Sequence, residues 1–128
     1  MKKTALQIPN APAPVGPYSQ AISVNGMCFV SGQIPLNPAT GELEMTTIEE
    51  ATHRVMYNII QLLEAANMNI ENVVKCSIFL KDLNDFAKVN EVYASYFKGV
   101  PPARETVQVA KLPLDVTIEI SCIAIENA

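Results

Sequence analysis

Apolar residues recur along this chain at two different spacings in alternating blocks, and that alternation limits what it can fold into. Between Thr46 and Asn69 the apolar positions are Ala51, Val55, Met56, Ile59, Leu62, Leu63 and Ala66, the spacing of one helix face. Thr46 with Glu49, and Thr47 with Glu50, both fit the reciprocal side-chain cap of a helix start, while Asn67 and Asn69 mark the end. A second stripe, Phe86, Val89, Tyr93, Tyr96 and Phe97, predicts a helix from about Leu83 to Phe97, with Asp82 or Asn84 as its cap. Gly99 and the Pro101-Pro102 pair close it. The remaining blocks are strand-like. Val73 to Leu80 reads as one strand, and roughly Glu105–Ala110 and Val116–Ile125 as two more joined by the 111–115 loop. Ala21–Val24 and Met27–Ser31 flank Asn25-Gly26, whose residues both tolerate positive φ, which is a strong two-residue hairpin signal. The proline-rich stretch Ile8 to Pro17 is expected to run extended over the surface.

The order ββαβαββ predicts one α+β domain spanning residues 1–128: two layers, a mixed β-sheet with two helices packed on one face. Two helices cover only one side of such a sheet. In the last strand Val116, Ile118, Ile120 and Cys122 point one way, and Thr117, Glu119 and Ser121 the other, followed by Ile123 and Ile125. In the middle strand Val74, Cys76, Ile78 and Leu80 oppose Val73, Lys75, Ser77 and Phe79. The second face is half apolar, greasier than a solvated face, and points to burial against another copy of the chain.

At 128 residues and 49% apolar, the chain is large enough to bury a core without disulfides or metals. Cys28, Cys76 and Cys122 are odd in number, far apart and set among strand formers, as buried thiols in a reducing compartment would be. No pair has metal-ligand spacing, and His53, the single histidine, flanks the first helical stripe; no metal or organic cofactor is expected. A net charge of −4 with scattered lysines argues against nucleic acid as a partner. No apolar run is long enough for a bilayer, and Lys2 and Lys3 are followed by prolines rather than a signal-like apolar stretch, so the expected location is the cytoplasm, with no membrane partner.

The chemistry-bearing residues concentrate near the C-terminus. In Pro101-Pro102-Ala103-Arg104 an arginine opens a strand, where its planar fork can take a carboxylate in bidentate fashion. Glu119, expected one strand away in Val116–Ile120, can act on whatever that carboxylate carries. Tyr18 follows Gly16-Pro17 and precedes a strand, so its ring can cap a cleft. Ser31 ends a strand before Gly32, where the missing side chain lets backbone approach a ligand. Asn90 is a polar residue in an apolar helix stripe and needs a hydrogen-bonding partner, in a loop, a neighbouring subunit or the site.

Taken in order, Gly16-Pro17-Tyr18-Ser19-Gln20, Ser31-Gly32-Gln33-Ile34-Pro35, Val74-Lys75 to Lys81-Asp82, Val89-Asn90, Pro102-Ala103-Arg104 and Ile118-Glu119-Ile120 resemble the Rid family of reactive intermediate deaminases, also called the YjgF or endoribonuclease L-PSP family. The resemblance is to its enamine/imine deaminase branch and runs over essentially the whole chain. It implies a chorismate-mutase-like fold and a homotrimer with its sites in the clefts between subunits. The implied reaction is hydrolysis of small 2-imino acids, such as 2-iminobutanoate and 2-iminopropanoate, to 2-oxo acids and ammonia. In that reading Arg104 is the carboxylate clamp, Glu119 orients and deprotonates the water, Tyr18 meets substrate or water with its hydroxyl, and Ser31 lies at the site edge. The chain departs from the family after the arginine, where a small residue and then often cysteine is usual and Glu105-Thr106 stands here. Glu105 is expected to point away from the substrate and Thr106 to offer its backbone N–H to the carboxylate. Two other readings compete. A ribonuclease would favour paired acid/base groups and basic phosphate contacts, which an acidic chain with one histidine lacks. A non-catalytic binder of small carboxylates, or a holdase, would use Arg104 but has no need of Glu119.

Overall fold

The computed structural model describes residues 2–9, 11 and 14–127. Its elements are β1 (Thr4–Leu6), β2 (Ala21–Val24), β3 (Met27–Gln33), α1 (Ile48–Ala65), β4 (Val73–Leu80), α2 (Phe86–Ala94), β5 (Ala103–Gln108) and β6 (Ile118–Ile125). The strands form one mixed sheet in the order β1-β2-β3-β6-β4-β5, antiparallel except for the β4/β5 pair, which α2 links as a crossover. Both helices pack on one face, the expected two-layer α+β architecture. No helix among the described residues is long and apolar enough to cross a membrane.

Local chemistry accounts for most element boundaries. Thr47 caps α1: its Oγ1 accepts from Glu50 N at 3.0 Å, while Glu50 Oε1 accepts from Thr46 N at 2.7 Å. Asn25 and Gly26 both take positive φ in the β2–β3 turn. The second helix is shorter than its stripe predicts. Residues Leu83–Asp85 form a separate 3₁₀ turn capped by Asp82, and the α-helix stops at Ala94, where the Ser95 hydroxyl bonds back to the Val92 carbonyl. Strand β1 has no counterpart in the sequence reading, because a three-residue edge strand shows no periodicity. Nor does the segment after it simply cross the surface: Ile8 is buried in the core, its N–H donating to Gln20 Oε1 at 3.0 Å. Residues 10, 12 and 13 of that segment lie outside the described residues.

The core fills the space between helices and sheet. Val55, Met56, Ile59, Leu62 and Leu63 of α1 meet Cys28, Val30, Ile78, Leu80, Ile118 and Ile120 from the strands. One predicted alternation fails at its start: Val73, not Val74, is buried, because the β4/β6 register shifts between Val73 and Lys75. The other face has no cover within one chain. Cross-strand pairing sets Ile22 beside Phe29, Phe29 beside Ile123, and Phe79 beside both Glu119 and Val107. Phe29 remains 39% and Val107 42% exposed, so a row of large apolar groups meets solvent on an otherwise well-packed molecule.

Candidate active site

Arg104 lies opposite Cys76 in the β4/β5 ladder, so its side chain leaves the sheet on the helix side. There Asn90, Tyr93 and Phe97, four, seven and eleven residues after Phe86, occupy one face of α2 and its C-terminal extension. With Ala94, Gly99, Pro101 and Pro102, the last three of these positions and Arg104 line a cavity of about 390 Å³. The guanidinium carbon sits 5.0 Å from the Tyr93 ring centre and 5.6 Å from that of Phe86. Among the described residues no carboxylate pairs with it. Thr106 follows on the same face, opposite Ile78, and its hydroxyl is buried without a hydrogen-bond partner, as is that of Tyr93. Burial and the neighbouring Cys76 thiol push Tyr93 well above the usual phenol range, so it is a neutral donor. A half-buried cation beside an apolar cavity has the chemistry to take an anion.

Glu119 belongs to the other face. It is half-buried opposite Phe79, and burial raises its carboxyl above the ordinary carboxylate range. Its carboxylate lies against Gly32: a Cβ built there would stand 2.6 Å from Glu119 Cδ. Gly32 sits in a bulge of β3, between Val30 opposite Cys122 and Gln33 opposite Ile120, so Ser31 and Gly32 together face one residue of β6. Behind the bulge, Asn58 of α1 donates to the carbonyls of Ile34 and Leu36 at 3.2 and 2.9 Å, fixing the outgoing loop. The Ser31 hydroxyl donates to the Ser19 carbonyl at 2.6 Å and its N–H to Gln20 O at 2.9 Å. Ser31 thereby ties the Tyr18 loop to the strand beside Gly32. Tyr18 itself is 55% exposed.

One chain therefore presents two separate groups of candidate residues. Arg104, Thr106 and Asn90 share the helix side, while Glu119 and Gly32 share the open face, with Ser31 next to Gly32 tied to the Ser19 and Gln20 carbonyls. The expectation that Glu119 stands one strand from Arg104 is corrected: β4 lies between their strands, a separation of roughly 10 Å, and the side chains leave opposite faces. A small molecule cannot touch both within one chain. Glu105 points as expected, onto the open face, where the Ser77 hydroxyl and Lys75, 2.9 Å away, hold its carboxyl below the usual range. His53 does not line the cavity; its Nδ1 meets Tyr96 Oη at 2.7 Å. The three cysteines are buried free thiols, pushed up by burial and so unreactive. No group of three or more His, Cys, Asp or Glu side chains among the described residues is gathered as a metal site. Tyr93 and Phe86 were read in the sequence as core stripe; the available signal was their place on the same helix face as Asn90.

A family model for endoribonuclease L-PSP matches residues 8–126. The chain belongs to that family, also called YjgF or Rid. A RutC family protein of Pyrococcus abyssi is 52% identical over 124 residues, covering 97% of this chain and 98% of that protein. The Arabidopsis thaliana protein named Reactive Intermediate Deaminase A, chloroplastic, is 47% identical and covers 97% of this chain and 66% of its own length. Among solved structures, Escherichia coli TdcF with bound serine superposes with a TM-score of 0.91 at 37% identity, over 97% of this chain and 99% of that one. The fold of the family is thus the fold described above.

The Gly32 contact leads to a first prediction within this Rid-family fold. In Gly32→Ala the new methyl meets the flexible end of a side chain, so the fold should hold and Tm should move little. The Glu119 carboxylate must swing away, however, and a displacement of about 1 Å can cost on the order of 10²-fold in rate. Deaminase assays on the folded variant check this; wild-type turnover would mean that Glu119's position against Gly32 is immaterial.

Proposed function

We propose that this protein hydrolyses small 2-imino acids, and the enamines in equilibrium with them, to 2-oxo acids and ammonia, at sites completed between copies of the chain in a homotrimer. The observation that carries this reading is Arg104: a guanidinium over two aromatic rings at an apolar cavity, paired with no carboxylate among the described residues. Such a fork takes the carboxylate of a 2-imino acid, with the backbone N–H of Thr106 as a further donor and Asn90 on the cavity wall. The C=N carbon beside that carboxylate is already electrophilic, so the reaction calls for no metal or organic cofactor. Water adds to this carbon as Glu119 of a neighbouring copy takes its proton; the nitrogen is protonated and leaves as ammonia as the carbonyl forms. Tyr18, in the loop that Ser31 ties to β3, is assigned the role of hydrogen-bonding water or substrate.

Three further points support the reading. The uncovered apolar sheet face needs a partner, and a second copy of the chain is the occupant this reading assigns to it. One relative bears the name of a reactive intermediate deaminase, and another was solved with serine, an amino acid whose carboxylate matches that of the substrate class. 2-Iminobutanoate and 2-iminopropanoate are the substrates this reading names. Coupling a threonine dehydratase to the protein, with semicarbazide present to trap free imine, tests the reaction. The expected result is faster release of 2-oxobutanoate and less semicarbazone; an unchanged partition at stoichiometric protein rejects the activity.

A further inference from the structure

We propose that Tyr93 is the positioning residue of the carboxylate clamp, its ring face fixing the plane of the Arg104 guanidinium. The inference rests on the reading of Arg104 as a clamp and extends it to how the clamp is kept ready. An arginine side chain has several rotatable bonds, and a bidentate contact needs its plane fixed before the ligand arrives. Proteins often fix such a plane with a carboxylate, but that would occupy the donors the ligand needs. Here no carboxylate among the described residues pairs with Arg104, and its guanidinium carbon lies over two aromatic rings instead. Stacking uses the face of the guanidinium and leaves the in-plane N–H groups free.

The two rings are not equivalent. Phe86 is 38% exposed at the start of α2 and its ring is the farther, at 5.6 Å. Tyr93 is 5% exposed, packed in the main core between α2 and β4, and lies at 5.0 Å. Tyr93 also packs against Phe97, with ring centres 4.8 Å apart, which braces it from the C-terminal side of the helix. It is the rigid member of the pair. Among the described residues its buried hydroxyl makes no well-formed hydrogen bond and has only the weak Cys76 thiol beside it, so it does not secure the ring; the ring face carries the function and phenylalanine should replace it.

Two variants and one spectroscopic signal test this. Tyr93→Leu removes the ring, and Tyr93→Phe keeps it. Tyr93→Leu should raise KM for 2-imino acids about tenfold with kcat within about twofold, and Tyr93→Phe should restore wild-type KM. In NMR spectra the Arg104 Nε–H proton should be ring-current shifted in the wild type and in Tyr93→Phe, and should move towards the position of a free arginine in Tyr93→Leu, where only the Phe86 ring remains. Wild-type KM in an active Tyr93→Leu protein, or an Arg104 resonance unmoved by that change, overturns the proposal. If Tyr93→Leu does not fold, the wild-type spectrum still decides: an Arg104 resonance already at the free-arginine position overturns it. The resonance does not depend on turnover. A wild type inactive on imines that shows the shift, lost in Tyr93→Leu, therefore rejects the hydrolase reading and upholds the positioning of Arg104.

Discussion

Glu119→Gln is expected to lower kcat for 2-imino acid hydrolysis by about 10²–10⁴-fold while leaving 2-oxo acid affinity within about threefold. Glutamine keeps the shape and the contact with Gly32 but loses the charge that accepts a proton from water. Loss in turnover without loss in affinity is the signature of a group used on the way to the transition state. A non-catalytic binder predicts no such split, and equal loss in both would make Glu119 structural. The pH profile supplies a second check. Burial raises the Glu119 pKa, and the base form works only when ionised, so activity should fall with acid at a pH above the ordinary glutamate range. In Glu119→Gln that acid limb should vanish from the residual activity. Stability should respond with the opposite sense. A carboxyl whose folded pKa exceeds its unfolded one makes the fold most stable below the unfolded value and less so as pH rises through the folded value. Glu119→Gln should remove that decline, which denaturant titrations across the pH range would register.

Arg104→Lys is expected to abolish most binding of 2-imino and 2-oxo acids while preserving the fold. Lysine keeps the positive charge but loses the planar fork and the face that stacks on Tyr93 and Phe86. Losing a partly desolvated charged hydrogen-bond pair costs about 2–5 kcal/mol, most of what so small a ligand can gain. Calorimetric titration with 2-oxobutanoate measures the loss directly. Near-normal affinity in a folded Arg104→Lys protein would place the clamp elsewhere. The two variants should thus fail differently, one in binding and the other in turnover.

Much of the architecture was legible because its signals are local. Strand β4 matches the predicted 73–80 because apolar and polar residues alternate along most of it, and α1 begins at the predicted cap because Thr47 accepts from the Glu50 N–H while Glu50 accepts from that of Thr46. What was hidden depends on the pairing of distant segments. The bulges that bury Val73 and bring Gly32 against Glu119 arise from register between strands, which one strand's composition does not encode. Alternation showed that Arg104 and Glu105 point to opposite faces, but not which face carries the helices. It also could not reveal that β4 separates β5 from β6. That missing fact made Arg104 and Glu119 look like neighbours in one chain. Tyr93 and Phe86 were invisible as site residues for a related reason: an aromatic that packs the core and one that holds a guanidinium share the same helical spacing.

The central claim is that Arg104 of one copy and Glu119 of another act on the same substrate molecule. Mixing Arg104→Lys with Glu119→Gln, under conditions where subunits exchange, tests it most directly. Each protein alone should be nearly inactive on 2-iminobutanoate. If each site draws the arginine and the glutamate from different copies, an equal mixture should recover roughly a quarter of wild-type activity, the fraction of sites in which both positions are intact. Activity no greater than the mean of the two parents, with exchange confirmed by mass spectrometry of the assemblies, would contradict the shared site.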